Sequence, residues 1–283
     1  MRICRFHPNR IGLVEGDRVF DVTDQVTPML SQDEPGDPLI RALSALRRLK
    51  VDGPSLALSD LALLSPVAAP TKIVAAPVNY RAHVAEANAD PGIVYGHTQT
   101  DIGQAGLFLK ANSSLAGPSA GIPMRFLDRR TDFEAELVIV IGKTGSDIPQ
   151  ATALSHVAGY AVGLDMTLRG PEDRSFRKSL DGFSVVGPCL VTADEVPDPD
   201  ALALTLDQNG ERRQQANTGG MVYGVARLIE FASSFYTLYP GDLIFTGTPE
   251  GVGPVKPGDV LVASVGNLGR LESRVRAHIV AGA

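Results

Sequence analysis

Three short alternations of apolar and polar residues open the chain, over residues 2–7, 10–14 and 18–22. Pro8-Asn9 and Glu15-Gly16-Asp17 separate them, and such turn residues predict antiparallel hairpins. From residue 38 to 49 the spacing becomes helical: Leu39, Leu43, Leu46 and Leu49 fall on one side, Arg41, Arg47 and Arg48 on the other. The stretch 65–70, with its Ala and Pro residues, reads as a linker. This divides the chain into a small N-terminal domain, residues 1–66, and a larger one, residues 67–283.

Beyond Lys72 the pattern is mostly that of strands, at 72–76, 107–110, 133–141, 156–164, 189–192, 202–208, 242–246 and 260–265. Helices are predicted only at 79–89 and 222–234. Two Pro-Gly-Asp turns, at Pro240 and Pro257, each lead into an apolar run. The expected fold is therefore α+β and rich in β, with a small β/α N-terminal domain.

Composition narrows the partners. Lys and Arg number 26 against 32 Asp and Glu, a net charge of −6, and no basic run stands out. That argues against nucleic acid and anionic membrane surfaces. No run approaches the ~20 apolar residues of a membrane span, and residues 1–8 lack a signal-peptide core. Cys4 and Cys189 make no disulfide framework, which fits a reducing compartment, and the cytoplasm is the expected location.

The chemistry concentrates in Phe133-Glu134-Ala-Glu136-Leu-Val-Ile-Val-Ile141. Alternate side chains of a strand share a face, so Glu134 and Glu136 are expected side by side at the mouth of a strand buried on both faces. Buried like charges need cations or a metal. The spacing alone leaves two readings open: a metal pair, or a frayed end that is solvated or paired with Arg129 and Arg130. Asp165, ending the apolar run that begins at His156, adds a third carboxylate, which serves either as ligand or as cap of the next turn. Three carboxylates suit Mg²⁺ or Mn²⁺; Ca²⁺ fits less well because it takes more oxygen ligands. The absence of His-x-x-x-His and Cys-x-x-Cys argues against zinc.

In Asn79-Tyr-Arg-Ala-His83-Val-Ala-Glu86, Asn79 is placed to cap a helix that sets His83 and Glu86 at i and i+3. A carboxylate beside an imidazole makes a base for activating water, although a surface His–Glu pair reads the same way. The polar segment 88–106 reads as a lid. Arg169 and Lys178 are either anion-binding groups or surface cations. The glycine-rich 247–253 loop lacks the Gly-Lys-Ser/Thr of a phosphate loop.

Taken in order, these segments resemble the fumarylacetoacetate hydrolase family from about Lys72 to the C-terminus. The likeness also rests on Phe108-Leu-Lys-Ala-Asn-Ser-Ser114, Gly159-Tyr-Ala-Val-Gly-Leu-Asp-Met-Thr-Leu-Arg169, Lys178-Ser-Leu-Asp-Gly-Phe183, Gly187-Pro188, Asn209-Gly-Glu-Arg-Arg-Gln214 and Pro240-Gly-Asp-Leu-Ile-Phe-Thr-Gly-Thr-Pro-Glu-Gly-Val-Gly253. It implies a mixed β-roll or β-sandwich catalytic domain, a homodimer, and one Mg²⁺ or Mn²⁺ on Glu134, Glu136 and Asp165. It implies a His83–Glu86 dyad on a lid helix, with Arg169, Lys178, Gln214 and Thr248 lining the substrate and metal pocket. Leu164, before the third carboxylate, and Gly170 depart from the family pattern. The resemblance points to hydrolytic cleavage of a 2,4-dioxo acid of the acylpyruvate or fumarylpyruvate type, as in aromatic catabolism, with Lys178 and Gln214 stabilising the oxyanion. Decarboxylation, tautomerisation or isomerisation, and hydration of a small 2-oxo acid are the rival reactions, and a non-catalytic binding subunit is the rival of another class.

Overall fold

The computed structural model describes residues 1–49, 51, 53–94 and 100–278. Its centre is a run of three long antiparallel strands, Ala135–Ile141, Val157–Asp165 and Ser184–Thr192. Both faces of these strands are apolar, and nearly every residue in them is buried, as expected for a strand covered on two sides. The short strands Leu243–Phe245, Ile73–Ala75 and Phe108–Lys110 extend this sheet on one side. On the other side Arg2–Phe6 pairs with Ser184–Thr192 (Arg2↔Val191, Ile3↔Leu190) and is followed by Arg10–Glu15 and Arg18–Asp21. The sheet is therefore continuous across residue 66.

A five-stranded sheet in the order Glu211–Asn217, Ala203–Gln208, Val260–Val265, Arg270–Ala277, Ile122–Met124 packs against the first. One core joins them, including Leu137, Ile139, Tyr160, Leu204, Leu206 and Leu261. Helix Val225–Ser233 seals one end through Val225, Leu228, Ile229 and Ala232, an i, i+3, i+4, i+7 stripe. This bears out the β-rich α+β fold. Two Pro-Gly-Asp turns lead, as expected, into Leu243–Phe245 and Val260–Val265, and Gly241 and Gly258 both take positive φ.

Several local expectations are corrected. The helix expected at 38–49 is two four-residue helices, Pro38–Arg41 and Leu43–Leu46. Buried Asp37 caps the first through the N–H groups of Leu39 and Ile40, and its other oxygen accepts from Ala68 and Ala69 at 2.6 and 2.9 Å. The 65–70 stretch is thereby pinned down rather than left as a loose linker. The strand expected at 189–192 runs from Ser184; Gly187-Pro188 obscured its first half, and the ladder shifts register opposite them. Strands Glu211–Asn217 and Arg270–Ala277 were missed because both are largely polar.

Candidate active site

Residues 133–141 do not form one strand. The chain breaks at Glu134, with Thr131–Phe133 in a small three-stranded sheet and Ala135–Ile141 in the large one. The Glu134 carbonyl accepts from the Asp165 N–H at 2.8 Å, so the break seats Glu134 at the end of strand Val157–Asp165. Oxygens of Glu134, Glu136 and Asp165 lie within 4.8 Å of one another, and all three residues are buried.

Each carboxylate has a different environment. Glu134 accepts from Thr167 Oγ1 at 2.8 Å, Lys178 Nζ at 2.6 Å and Arg169 Nη2 at 3.3 Å. Asp165 accepts from Lys178 Nζ at 2.7 Å and from Lys110 Nζ. Among the described residues Glu136 accepts only the Gly247 N–H, at 2.7 Å. Burial would raise the Glu134 pKa, but Lys178 and Arg169 outweigh it and hold the carboxyl well below its ordinary range. Burial, with Asp165 and Glu134 close by, pushes Glu136 well above its ordinary value. Burial works against the Lys178 ammonium, yet Asp165 and Glu134 keep its pKa raised. Arg129 and Arg130 do not neutralise this cluster: Arg129 pairs with Glu172, and Arg130 with Asp132 and Asp90. The metal reading is the one this geometry supports. Among the described residues no cation hydrogen-bonds Glu136, and an all-oxygen donor set suits a hard divalent ion.

Three groups here were not singled out from sequence. Lys110 is fully buried between Asp165 and the Phe183 carbonyl, which accepts from Nζ at 2.9 Å. Burial lowers its pKa, against the pull of Asp165. Its signal was a lysine inside the apolar strand Phe108–Lys110, where Phe108 and Lys110 share the buried face. Asp132 is buried between Arg130 and Arg169, accepting from Arg169 Nε at 2.8 Å. Arg177 lines the cavity, and no motif marked it.

His83 and Glu86 sit on helix Arg81–Ala89 and form a pair, His83 Nδ1 to Glu86 Oε2, at 2.9 Å. The other Glu86 oxygen accepts the Gly251 N–H at 2.8 Å. Asn79 does not cap this helix. Tyr80 holds that position, and the Asn79 amide instead donates to the carbonyls of Thr246 and Tyr223 and accepts from the Tyr223 N–H. Asn79 thus anchors the start of the helix to the strand beneath the carboxylates.

His83, the three carboxylates, Arg169, Lys178 and Thr248 line one cavity of about 300 Å³. Gln214 departs from the expectation of direct substrate contact. It is fully buried outside this lining. Its Nε2 donates to Thr248 Oγ1 at 2.8 Å and to the Pro249 carbonyl at 2.9 Å, while Oε1 accepts the Ala135 N–H at 3.0 Å. Its donors are spent on holding the loop that carries Thr248. In the expected lid, Ile93 and Ala105 face the cavity; residues 95–99 lie outside the described part.

The family model for the fumarylacetoacetate (FAA) hydrolase C-terminal domain matches residues 72–276. The chain belongs to the fumarylacetoacetate hydrolase family. Within that family it is 52% identical to the maleylpyruvate hydrolase of Aquipseudomonas alcaligenes, over 98% of this chain and 100% of that protein. The crystal structure of a maleylpyruvate hydrolase from Sphingobium sp. SYK-6 in complex with manganese(II) and pyruvate superposes with a TM-score of 0.81. It is 35% identical over 99% of this chain and 100% of that one. A 2-hydroxyhepta-2,4-diene-1,7-dioate isomerase from Mycobacterium marinum is 28% identical over the full length of both chains, with a TM-score of 0.74. Among the described residues no helix is long and apolar enough to cross a membrane.

Proposed function

We propose that this chain hydrolyses the C3–C4 bond of a small 2,4-dioxo acid, an acylpyruvate such as maleylpyruvate, and requires Mg²⁺ or Mn²⁺ on Glu134, Glu136 and Asp165. The observation that carries this is one cavity holding both three clustered buried carboxylates and a His–Glu pair. The bound cation supplies Lewis-acid stabilisation of negative charge at the 2-oxo end. Glu86 accepts the His83 Nδ1 proton, which leaves Nε2 as the basic nitrogen. His83 takes a proton from the water that adds to the C4 carbonyl. The C3–C4 bond then breaks, its electron pair stays with the pyruvate fragment, and the proton taken up by His83 passes to C3. Lys178 and Arg169, already fixed against Glu134, offer positive charge to the oxyanion and to the substrate's 1-carboxylate. Gln214 acts by holding Thr248.

The chain is further proposed to be a cytoplasmic homodimer. Leu127 and Phe176, 62% and 64% exposed, are large apolar side chains that a second copy would cover. Both cysteines are free and buried, which suits a reducing compartment.

The test is consumption of acetylpyruvate and maleylpyruvate with Mn²⁺, with Mg²⁺ and with EDTA, with products identified. Metal-dependent release of pyruvate and the matching acid is expected, and His83→Ala should lower kcat by about 10²–10⁴. Loss of substrate by isomerisation or decarboxylation, with no acid released, would overturn the hydrolase reading.

A further inference from the structure

Residues 169–174, 177 and 178 line one part of the cavity, and their charges are unevenly matched. Arg169 pairs with Asp132 and Glu134, and Lys178 with Glu134 and Asp165, which ties both cations to the 2-oxo acid end. Arg177 differs. Its Nε donates to the Glu172 carbonyl at 2.8 Å and its Nη1 to the Leu168 carbonyl at 3.0 Å. These neutral acceptors fix the guanidinium without cancelling its charge. Among the described residues no carboxylate forms an ion pair with it. Glu172 is held by Arg129 in two bonds of 3.0 and 2.8 Å. Asp173 accepts the Ser175 N–H at 2.7 Å. Arg174 lines the same part of the cavity. Burial lowers the pKa of both arginines, and Arg169 presses further on Arg177. A pre-positioned, partly desolvated guanidinium fork gains most from an incoming carboxylate, which it can take in two parallel bonds.

We propose that Arg177 binds the distal carboxylate of a dicarboxylic acylpyruvate and thereby sets a preference for dicarboxylic over monocarboxylic substrates. This rests on the hydrolase reading for its substrate. The 2-oxo acid end belongs with Glu134, Glu136 and Asp165, where the negative side chains would repel any second carboxylate. Arg177 lines the same cavity, and among the described residues no carboxylate pairs with it, so it is the cation placed to receive that second carboxylate.

The experiment compares wild type with Arg177→Gln and Arg177→Lys on two readouts. The first is kcat/KM for maleylpyruvate against acetylpyruvate. One charge-assisted pair corresponds to about a ten- to hundredfold preference for the dicarboxylate. Arg177→Gln should collapse that ratio, chiefly through KM for maleylpyruvate, and Arg177→Lys should keep part of it. A structural role for Arg177 would lower both substrates together and overturn the proposal. The second is calorimetric binding to the Mn²⁺-loaded protein of 2-oxoheptanedioate against 2-oxoheptanoate, which differ only in the distal carboxylate and contain no cleavable 2,4-dioxo unit. Tighter binding of the dicarboxylate by wild type, lost in Arg177→Gln, supports the proposal even if the hydrolase reading fails. Equal binding of the two acids by wild type overturns it even if hydrolysis is found.

Discussion

Of the three carboxylates, Glu136 alone has no hydrogen bond from a cation among the described residues, and this makes it the most informative single residue. With no metal, the ammonium groups of Lys110 and Lys178 balance Glu134 and Asp165, and Glu136 is left over. Glu136→Gln keeps the acceptor for Gly247 and removes the charge. It should stabilise the metal-free protein by about 1–3 kcal/mol, the usual size of an uncompensated buried polar group. It should also abolish the rise in Tm that Mn²⁺ gives wild type. The pH dependence has a definite sign. Because the folded-state pKa of Glu136 lies above the ordinary 4.5, its contribution is fully present below that value and is lost as pH rises through the raised one. In EDTA the stability of wild type should therefore fall relative to Glu136→Gln with rising pH, measured by urea unfolding across the pH range. Parallel curves would show that Glu136 is neutralised by some other group. Glu134, Glu136 and Asp165 were legible as a set because acids at the ends of long apolar runs are conspicuous. Arg177 was not, because a single cation in a polar segment carries no sign of whether it is buried, and the signal for Lys110, a lysine inside a three-residue apolar strand, was too short to stand out.

At the level of elements, the loop 247–253 does more than its composition suggested. Its glycine N–H groups hold the two parts of the site: Gly247 donates to Glu136 and Gly251 to Glu86. Both take positive φ, and a Cβ on Gly251 would lie 2.1 Å from the Arg213 carbonyl oxygen. Only glycine fits there, since any side chain meets backbone and adopts a disfavoured conformation. Gly251→Ala should displace the N–H from Glu86, loosen the His83 pair and lower kcat at least tenfold, while the Mn²⁺-induced rise in Tm is retained because Gly251 touches no ligand. Equal loss of metal binding would mean that the loop moves as one body. The sequence marked the loop as glycine-rich and ruled out phosphate binding. It could not show which N–H meets which carboxylate, because those contacts join residues more than a hundred positions apart. The break at Glu134 was hidden for a related reason: periodicity reads a continuous alternation as a continuous strand, and the break is imposed by pairing with strands distant in sequence.

The whole molecule is held together by a sheet that ignores the division at residue 66. Cys4, Phe6, Val14, Val19 and Leu63 share one buried cluster with Cys189, and Ile40 and Val67 share another with Val186, Leu190 and Leu243. Removing residues 1–66 would uncover these side chains and leave the Leu190–Val191 end of strand Ser184–Thr192 as an exposed apolar edge, a template for aggregation. The two segments should therefore unfold together. Far-ultraviolet circular dichroism and a fluorophore attached in the N-terminal part should report one coincident urea transition, and residues 67–283 alone should be insoluble. Two separated transitions, or a soluble and folded 67–283 fragment, would show that the first 66 residues are an appended unit. In that case the core they share with Cys189 and Leu190 would contribute little to stability. The expectation of a boundary at residue 66 came from a change of pattern, from hairpins to a proline-containing stretch. The continuity was not, because it depends on Arg2–Phe6 finding a partner about 190 residues away.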